Sequence, residues 1–376
     1  MKHSCLLTLL FLTVILNAQN SGEIADYLFA TGNYAKAISA YKAQPNKEDV
    51  YAKIAKSYAA LGNHGQALAN YKKAANSNPD DELIQYDYAK LLSRNKYYNE
   101  ASELFKKLIS KDSINPNYHY ELGIVLEKQS DSTAFNQFMQ TFALDQTHQK
   151  AIFKIAKHHL IKRNFEVSHR FIDKGLESYA NNVELISLKA QNYYYQEYYT
   201  HAIKWFKTLI ALGESSEFIH EKLSLSLSQN SEYAEAIKHR KLALQYNPKD
   251  AGAIYVIGTY YERLADFENA EKYISEALKL QDVSLTNEYQ RLGRILNRQK
   301  KYEAAIKAFQ NALKEDPSNM VAEFFLVRTK DEFYADTSTK IKLYEDFVVK
   351  HKKSPFARFA QERLKELKEE KFLEED

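Results

Sequence analysis

The chain has one cysteine, six prolines and ten glycines in 376 residues. A lone cysteine excludes a disulfide scaffold. So few glycines and prolines leave little turn chemistry for a many-stranded β protein, and the expectation shifts to all-α. The several apolar runs of about 20 residues that a multi-span membrane protein needs are missing too. Charge of one sign is hardly in excess, with 52 Lys+Arg against 49 Asp+Glu and a formal charge of +3. No global field therefore argues for nucleic acid or for an anionic membrane as partner. What the chain does have is apolar and aromatic mass: 45% hydrophobic residues, 28 tyrosines and 20 phenylalanines. That is enough to build a core and to exclude wholesale disorder.

Residues 1–18 read as a secretory signal peptide. Lys2 and His3 give a positive start, and Leu6 to Leu16 form an apolar run broken only by Thr8 and Thr13. The run is too short for a stable span, and no stop-transfer pattern follows it. Leu16 stands where a small residue is usual at a cleavage site, so a retained anchor is the alternative. Cys5 precedes the apolar run, which excludes lipidation of the bacterial lipoprotein kind. The chain beyond it has no cysteine, so no disulfide or reactive thiol is expected in an oxidising compartment. The expected location is a bacterial periplasm, with secretion second, and no integral span after cleavage.

Self-similarity organises the rest. Ala37 lies in the run Asn33-Tyr34-Ala35-Lys36-Ala37-Ile38, and Ala67, Ala101, Ala134, Ser168, Ala202, Ala236, Ala270 and Ala305 are its equivalents. Successive spacings are 30, 34, 33, 34, 34, 34, 34 and 35, a register that chance does not keep. Each unit divides into two segments of helical period. Tyr51, Ile54, Ala55 and Tyr58 lie on one helix face; Gly62-Asn63 breaks the pattern; Ala67, Leu68, Tyr71, Ala74 and Ala75 mark a second helix. All six prolines (45, 79, 116, 248, 317 and 355) fall between such hairpins. Gly123, Gly258 and Gly293 occupy one site in the first helix where other units have Ala55, Ala89, Ala156 and Ala190. A small residue there predicts a close approach of two helices.

The pattern resembles the tetratricopeptide repeat. Its residues stand as Tyr289, Leu292, Gly293, Leu296, Tyr302, Ala305, Phe309, Ala312 and Pro317 in the clearest copy. A second clear copy is Tyr51, Ile54, Ala55, Tyr58, Gly62, Ala67, Tyr71, Ala74 and Pro79. The resemblance covers roughly residues 21–351 and implies an all-α, α–α superhelix (solenoid) of about ten hairpins. These fall near 21–44, 48–78, 82–114, 116–147, 149–181, 183–215, 217–248, 251–282, 286–318 and 320–351. It also implies a concave groove lined by the first helix of each pair, and stacking explains why single hairpins cannot stand alone. Departures from the pattern are Ser168 for alanine, Arg240 where others have an aromatic or apolar residue, and Lys340 at the alanine site of the last hairpin. Residues 355–376 place Phe356, Ala360, Leu364 and Leu367 on one face of a further helix, expected to cap the stack. A partner-binding or coiled-coil helix is the alternative for that segment.

Signals for chemistry are few. There is no G-x-x-x-x-G-K, G-x-G-x-x-G, G-x-S-x-G or H-E-x-x-H, and no carboxylate spacing singles out an acid–base pair. His148, His158, His159, His169 and His201 cluster in sequence, but His158 and His159 are about 100° apart on a helix and do not converge easily on one ion. No metal, cofactor or catalytic residue is expected. Two features suggest a binding face. One is the aromatic run Tyr193-Tyr194-Tyr195-Gln196-Glu197-Tyr198-Tyr199 with Trp205, in which Tyr194 and Tyr195 fall off the core positions and on the groove side. The other is basic residues on exposed sides of first helices: Lys53, Lys56, Lys90, Arg94, Lys150, Lys154 and Lys157, then Arg263, Arg291, Arg294 and Arg298, with Asp49 and Asp87 as partial offsets. These point to a protein or acidic peptide ligand. The resemblance implies, for peptide-gripping members, a lysine–asparagine pair on one helix, and Lys53 and Lys56 lack that asparagine. The expected function is a non-catalytic interaction scaffold of the bacterial envelope. The alternative is a glycan or peptidoglycan module that stacks sugars on exposed tyrosines.

Overall fold

The computed structural model describes residues 22–46, 48–280 and 285–375. The segment read as a signal peptide, with Cys5, lies outside the described residues, as does the side chain of Asp49. Among the described residues there are α-helices, one 3-10 turn (Glu48–Val50) and no strand, so the fold is an all-α solenoid of helical hairpins. The chain divides into two compact units at residues 185 and 186.

The first unit holds α1 (residues 22–30), α2 (Tyr34–Lys42), α3 (Tyr51–Ala60), α4 (His64–Ser77), α5 (Glu82–Arg94), α6 (Tyr98–Lys111), α7 (Pro116–Lys128), α8 (Ala134–Leu144), α9 (Gln149–Ile161) and α10 (Phe165–Ser178). Helix α11 (Val183–Tyr195) carries the division. The second unit continues with α12 (Tyr199–Ala211), α13 (Glu217–Gln229), α14 (Tyr233–Leu244), α15 (Ala251–Arg263) and α16 (Phe267–Leu280). It ends with α17 (Thr286–Arg298), α18 (Tyr302–Glu315), α19 (Met320–Phe333), α20 (Thr337–Lys350) and α21 (Ala357–Glu375).

Helix starts are chemically marked. Asp81, Asn115, Asp250, Asn319 and Asp336 each cap a helix with a side-chain oxygen that accepts a first-turn N–H. Pro116 sits at the first position of α7, where its missing N–H costs nothing.

Within the hairpins the turn is the same each time except between α19 and α20, where Tyr334 is extended (φ -85°). One residue takes the left-handed backbone: Gly32 (φ 78°), Gly62 (φ 73°), then Lys96, Ser130, Arg163, Glu197, Ser231, Ala265 and Lys300 at φ 58–67°. The next N–H reaches back across the helix end, as from Asn63 to Tyr58 O and from Tyr97 to Leu92 O, which satisfies carbonyls left open at the C-terminus. Only the first two hairpins use glycine at this position.

The small-residue site does what its spacing predicts. A Cβ on Gly123 would stand 2.7 Å from Phe138, on Gly258 2.6 Å from Ile274, and on Gly293 2.7 Å from Phe309. Each neighbour is the large residue of the paired second helix and packs directly on the glycine backbone, and at Gly258 the paired helix's backbone comes within 3.1 Å of that Cβ position as well. Ala55, Ala89, Ala156 and Ala190 hold the same site fully buried. Ser168, the departure from alanine, donates its hydroxyl to Ala156 O at 2.9 Å and so leaves no buried donor open.

In the first unit Ala89, Leu92, Phe105, Leu122, Phe138 and Ile155 form a core that passes from hairpin to hairpin. In the second, Phe324, Tyr344, Phe347, Ala360 and Leu367 join α19, α20 and α21 in one cluster.

A candidate partner-binding face

The basic residues that the sequence singles out are indeed on first helices, but many of them already have an acid. Lys53 Nζ lies 2.8 Å from Asp26, and Lys56 Nζ lies 2.9 Å from Asp87. Lys90 faces Glu121 at 3.7 Å, and Lys154 pairs with Glu127. Each pair joins the first helices of consecutive hairpins. In the second unit Arg291 Nε is 3.5 Å from Glu262 in the same manner.

A tyrosine completes several of these pairs. Tyr41 OH donates to Asp26 Oδ1 at 2.6 Å. Tyr86 OH reaches Glu121 at 3.5 Å, and Tyr71 lies near Asp87. Burial first, and the carboxylate second, push the phenols of Tyr41, Tyr71 and Tyr86 upward. Burial also pushes the Asp26 carboxyl up, but the bonds from Lys53 and Tyr41 outweigh it, and the group sits below the usual carboxylate range. The result is a ladder of tyrosine–carboxylate–lysine staples. The lysines and their acids are part-exposed, from 19% at Glu121 to 52% at Asp26, so water still screens them and each pair is worth about 1 kcal/mol or less.

Arg94, Lys150, Lys157, Arg294 and Arg298 are exposed and have no ion pair among the described residues. Lys157 lies 5.7 Å from the Phe153 ring centre. These five and the exposed Arg263, which also has no ion pair among the described residues, rather than all eleven singled-out basic residues, carry charge that a ligand could meet.

The tyrosine run splits as well. Tyr194 is half-buried, edge-on to Tyr195 at 5.4 Å and to Tyr199 at 6.2 Å, with Lys222 Nζ 5.4 Å from its ring centre. Burial, then neighbouring phenols and Glu221, raise its hydroxyl's pKa. Tyr195 is 44% exposed and Tyr198 57% exposed. Trp205 is half-buried between Lys189 at 4.3 Å and Lys204 at 5.7 Å.

The clustered histidines pack as aromatic rings. His148 caps α9 by accepting the Ala151 N–H. His158 stacks on Phe135 at 4.1 Å and His159 on Phe171 at 6.0 Å, and burial lowers the pKa of both. Among the described residues no group of three or more His, Cys, Asp or Glu could hold a metal ion. None of their helices is long and apolar enough to cross a membrane.

Sequence reasoning missed two sets of residues. The first is the acids of the ladder other than Asp87, which the sequence offers only as a partial offset. Their signal is a separation of 27 residues (Asp26 to Lys53, Glu127 to Lys154) or 31 (Lys56 to Asp87, Lys90 to Glu121), just under one repeat. The second is a polar chain in the second unit. His239 Nδ1 meets His220 Nδ1 at 3.1 Å, His220 Nε2 meets Ser215 Oγ at 3.0 Å, and Ser215 Oγ meets Tyr246 OH at 3.2 Å.

Comparison with known proteins agrees with the repeat architecture. Tetratricopeptide repeat profiles match residues 14–112, 251–283 and 287–319. The first of these matches begins inside the segment read as a leader. The chain is 26% identical over 218 residues to the TPR repeat-containing protein YpiA of Bacillus subtilis, covering 57% of this chain and 50% of that one. It is 34% identical over 91 residues to the Hsp70-Hsp90 organizing protein of Triticum aestivum, covering 24% of this chain and 16% of that one. It thus spans half or less of the length of these curated relatives. The C-terminal part of a TPR repeat-containing protein from Cytophaga hutchinsonii superposes with a TM-score of 0.51 at 16% identity, covering 64% of this chain and 99% of that one. Profiles and relatives thus show tetratricopeptide repeats at residues 14–112, 251–283 and 287–319, within an all-α solenoid of helical hairpins.

Proposed function

We propose that the chain is a non-catalytic scaffold of the bacterial periplasm that holds a protein or extended acidic peptide in a groove lined by its first helices. The observation that carries this reading is exposed basic residues on first helices that lack ion-pair partners among the described residues: Arg94, Lys150 and Lys157 in the first unit, and separately Arg294 and Arg298 in the second. Exposed arginine and lysine of this kind steer an acidic partner and fix its register. Tetratricopeptide repeats in general mediate protein–protein contacts, and the wheat relative is named for organising two other proteins, which supports a scaffold in kind. The leader read at residues 1–18 supports export.

The test is capture of partners by the full-length chain from its native envelope, with cross-linking and mass spectrometry. Charge reversal at Lys150 and Lys157 is expected to remove the captured partner while Lys154→Glu, whose lysine is held by Glu127, removes much less. Equal loss from both, or none from either, overturns the groove-charge reading. A second reading, glycan stacking, draws on the exposure of Tyr195 and Tyr198; retention of the mature chain on peptidoglycan, lost in Tyr195→Ala, would favour it.

A further inference from the structure

Arg240 breaks the repeat pattern, and the staple ladder does not use it. The residue sits on α14 and is only 9% exposed. Its Nη1 lies 3.6 Å from Glu221 Oε1, an ion-pair distance too long for a hydrogen bond. Its Nε and Nη1 have no hydrogen-bond partner. An apolar residue, as the other repeats have here, would leave no such donors open. A buried guanidinium with unmet donors asks for an acceptor.

The guanidinium lines a cavity of about 90 Å3. Glu217 and Glu221 of α13 form one wall, and Asn247 and Asp250, between α14 and α15, form another. Asp250 Oδ1 is already engaged by the Ala253 N–H at 3.0 Å as the cap of α15. Lys222 also lies 3.6 Å from Glu221 Oε1. The lining therefore has three carboxylates against one guanidinium. Its charge selects among ligands. An inorganic anion would satisfy Arg240 but face three carboxylates. A bare metal ion would satisfy the carboxylates but face the guanidinium. Both are met by a ligand that carries a cationic donor and a neutral acceptor side by side.

We propose that this cavity binds an α-ammonium group together with the carbonyl oxygen next to it, the end shared by an amino-acid amide and a polypeptide N-terminus. The carbonyl oxygen accepts from Arg240, and the ammonium donates to Glu217 and Glu221. The space corresponds to about three water-sized groups, which suits a molecule the size of glycinamide. This site does not depend on the partner-face reading above.

The experiment titrates the full chain with four probes by calorimetry and thermal unfolding: glycinamide, acetamide, ethylammonium and the tripeptide amide Gly-Gly-Ser-NH2. Glycinamide is expected to bind saturably and raise Tm by linkage. Acetamide, which lacks the cation, and ethylammonium, which lacks the acceptor, are expected to bind at least tenfold more weakly. Arg240→Met is expected to fold with an unchanged or higher Tm and to lose the glycinamide response. Glu217→Gln, at an exposed helix start, is expected to weaken binding at least tenfold and serves if the Arg240 variant folds poorly. Equal binding of glycinamide and the tripeptide amide identifies a chain N-terminus as the source, and binding of glycinamide alone identifies a free small molecule. No saturable binding of either, or binding that persists unchanged in both variants, overturns the proposal and leaves Arg240 solvated by water alone.

Discussion

In the first unit Asp26, Asp87, Glu121 and Glu127 each take a lysine from the neighbouring hairpin near the solvent. In the second unit the comparable carboxylate, Asp331, is 7% exposed and is surrounded: Tyr344 OH at 3.0 Å, Arg363 Nε at 3.0 Å and Lys340 Nζ at 3.5 Å. Both arrangements contain a tyrosine, a carboxylate and a cation. What differs is water. An exposed staple sets register at little net energy, because Coulomb attraction there is screened. A buried one is costly to assemble and costlier to break, because a lost partner leaves a charge without solvent. The departure of Lys340 from alanine in the last hairpin is explained in the same way: it lies beside the buried acid.

The largest effect should come from breaking the buried version. Asp331→Ala leaves Arg363, Lys340 and the Tyr344 hydroxyl without their shared acceptor and is expected to cost about 3 kcal/mol. Asp26→Ala is expected to cost about 1 kcal/mol. Denaturant unfolding of the two variants, followed by circular dichroism, checks the ratio; equal costs would mean that burial does not distinguish the units. A control should show them alike. Gly123→Val in the first unit and Gly293→Val in the second both force side-chain atoms into an aromatic ring of the paired helix. Each is expected to cost about 2 kcal/mol, measured in the same way.

Acid should separate the units further. In the second unit His220 and His239 share one hydrogen bond between Nδ1 atoms, and one of the two atoms must stay unprotonated to accept it. Burial lowers the pKa of both, and for His239 the neighbouring His220, Lys207 and Lys238 lower it further while Glu235 opposes them. A base whose folded pKa lies below its unfolded value binds more protons when unfolded. Its contribution to stability is therefore complete above the unfolded value near 6.5 and is lost as pH falls through the folded one. The first unit's His148, His158 and His159 are lowered too, again by burial first, but none of them shares a histidine–histidine bond. Stability is expected to fall between pH 7 and pH 5, and His239→Asn should flatten that slope more than His158→Asn does. A slope equally flattened by both would remove the pair as its source.

How much of this was legible beforehand follows from the range of each interaction. The all-α solenoid was legible because a near-constant spacing of 34 and the alternation of helical faces are local signals repeated many times. The small-residue site was legible for the same reason: Gly123, Gly258 and Gly293 fall where alanines fall elsewhere. The staples were not, because Lys53 and Asp26 meet across a repeat boundary and their separation of 27 residues matches no helix or hairpin rule. Choosing basic residues by helix face alone therefore gathered held and free cations together. Lys154 and Lys157 are three residues apart on one helix, yet the first meets Glu127 and the second meets no acid among the described residues. Arg240 was visible as a departure, but its burial against Glu221 depends on tertiary packing.

The smallest expected effect lies in the hairpin turns. Every hairpin turn up to that of α17 and α18 places a residue in the left-handed backbone region, but only Gly32 and Gly62, both in the first unit, are suited to it. Lys96, Ser130 and Arg163 in that unit, and Glu197, Ser231, Ala265 and Lys300 in the other, hold φ near 60° with a Cβ present. That conformation crowds Cβ against the following carbonyl at a cost of roughly 1–2 kcal/mol, while glycine's extra freedom in the unfolded chain returns part of the gain. Ala265→Gly and Lys96→Gly are each expected to stabilise by about 0.5 kcal/mol, and Gly62→Ala to destabilise by about 1 kcal/mol. Thermal unfolding of the three variants is the measurement. The hydrogen bond from Asp266 N to Tyr261 O closes the Ala265 turn as that from Asn63 to Tyr58 closes the Gly62 turn, so the backbone is the same and only the Cβ differs. A destabilising Ala265→Gly would mean that the alanine turn is held by its surroundings strongly enough to make the left-handed strain irrelevant.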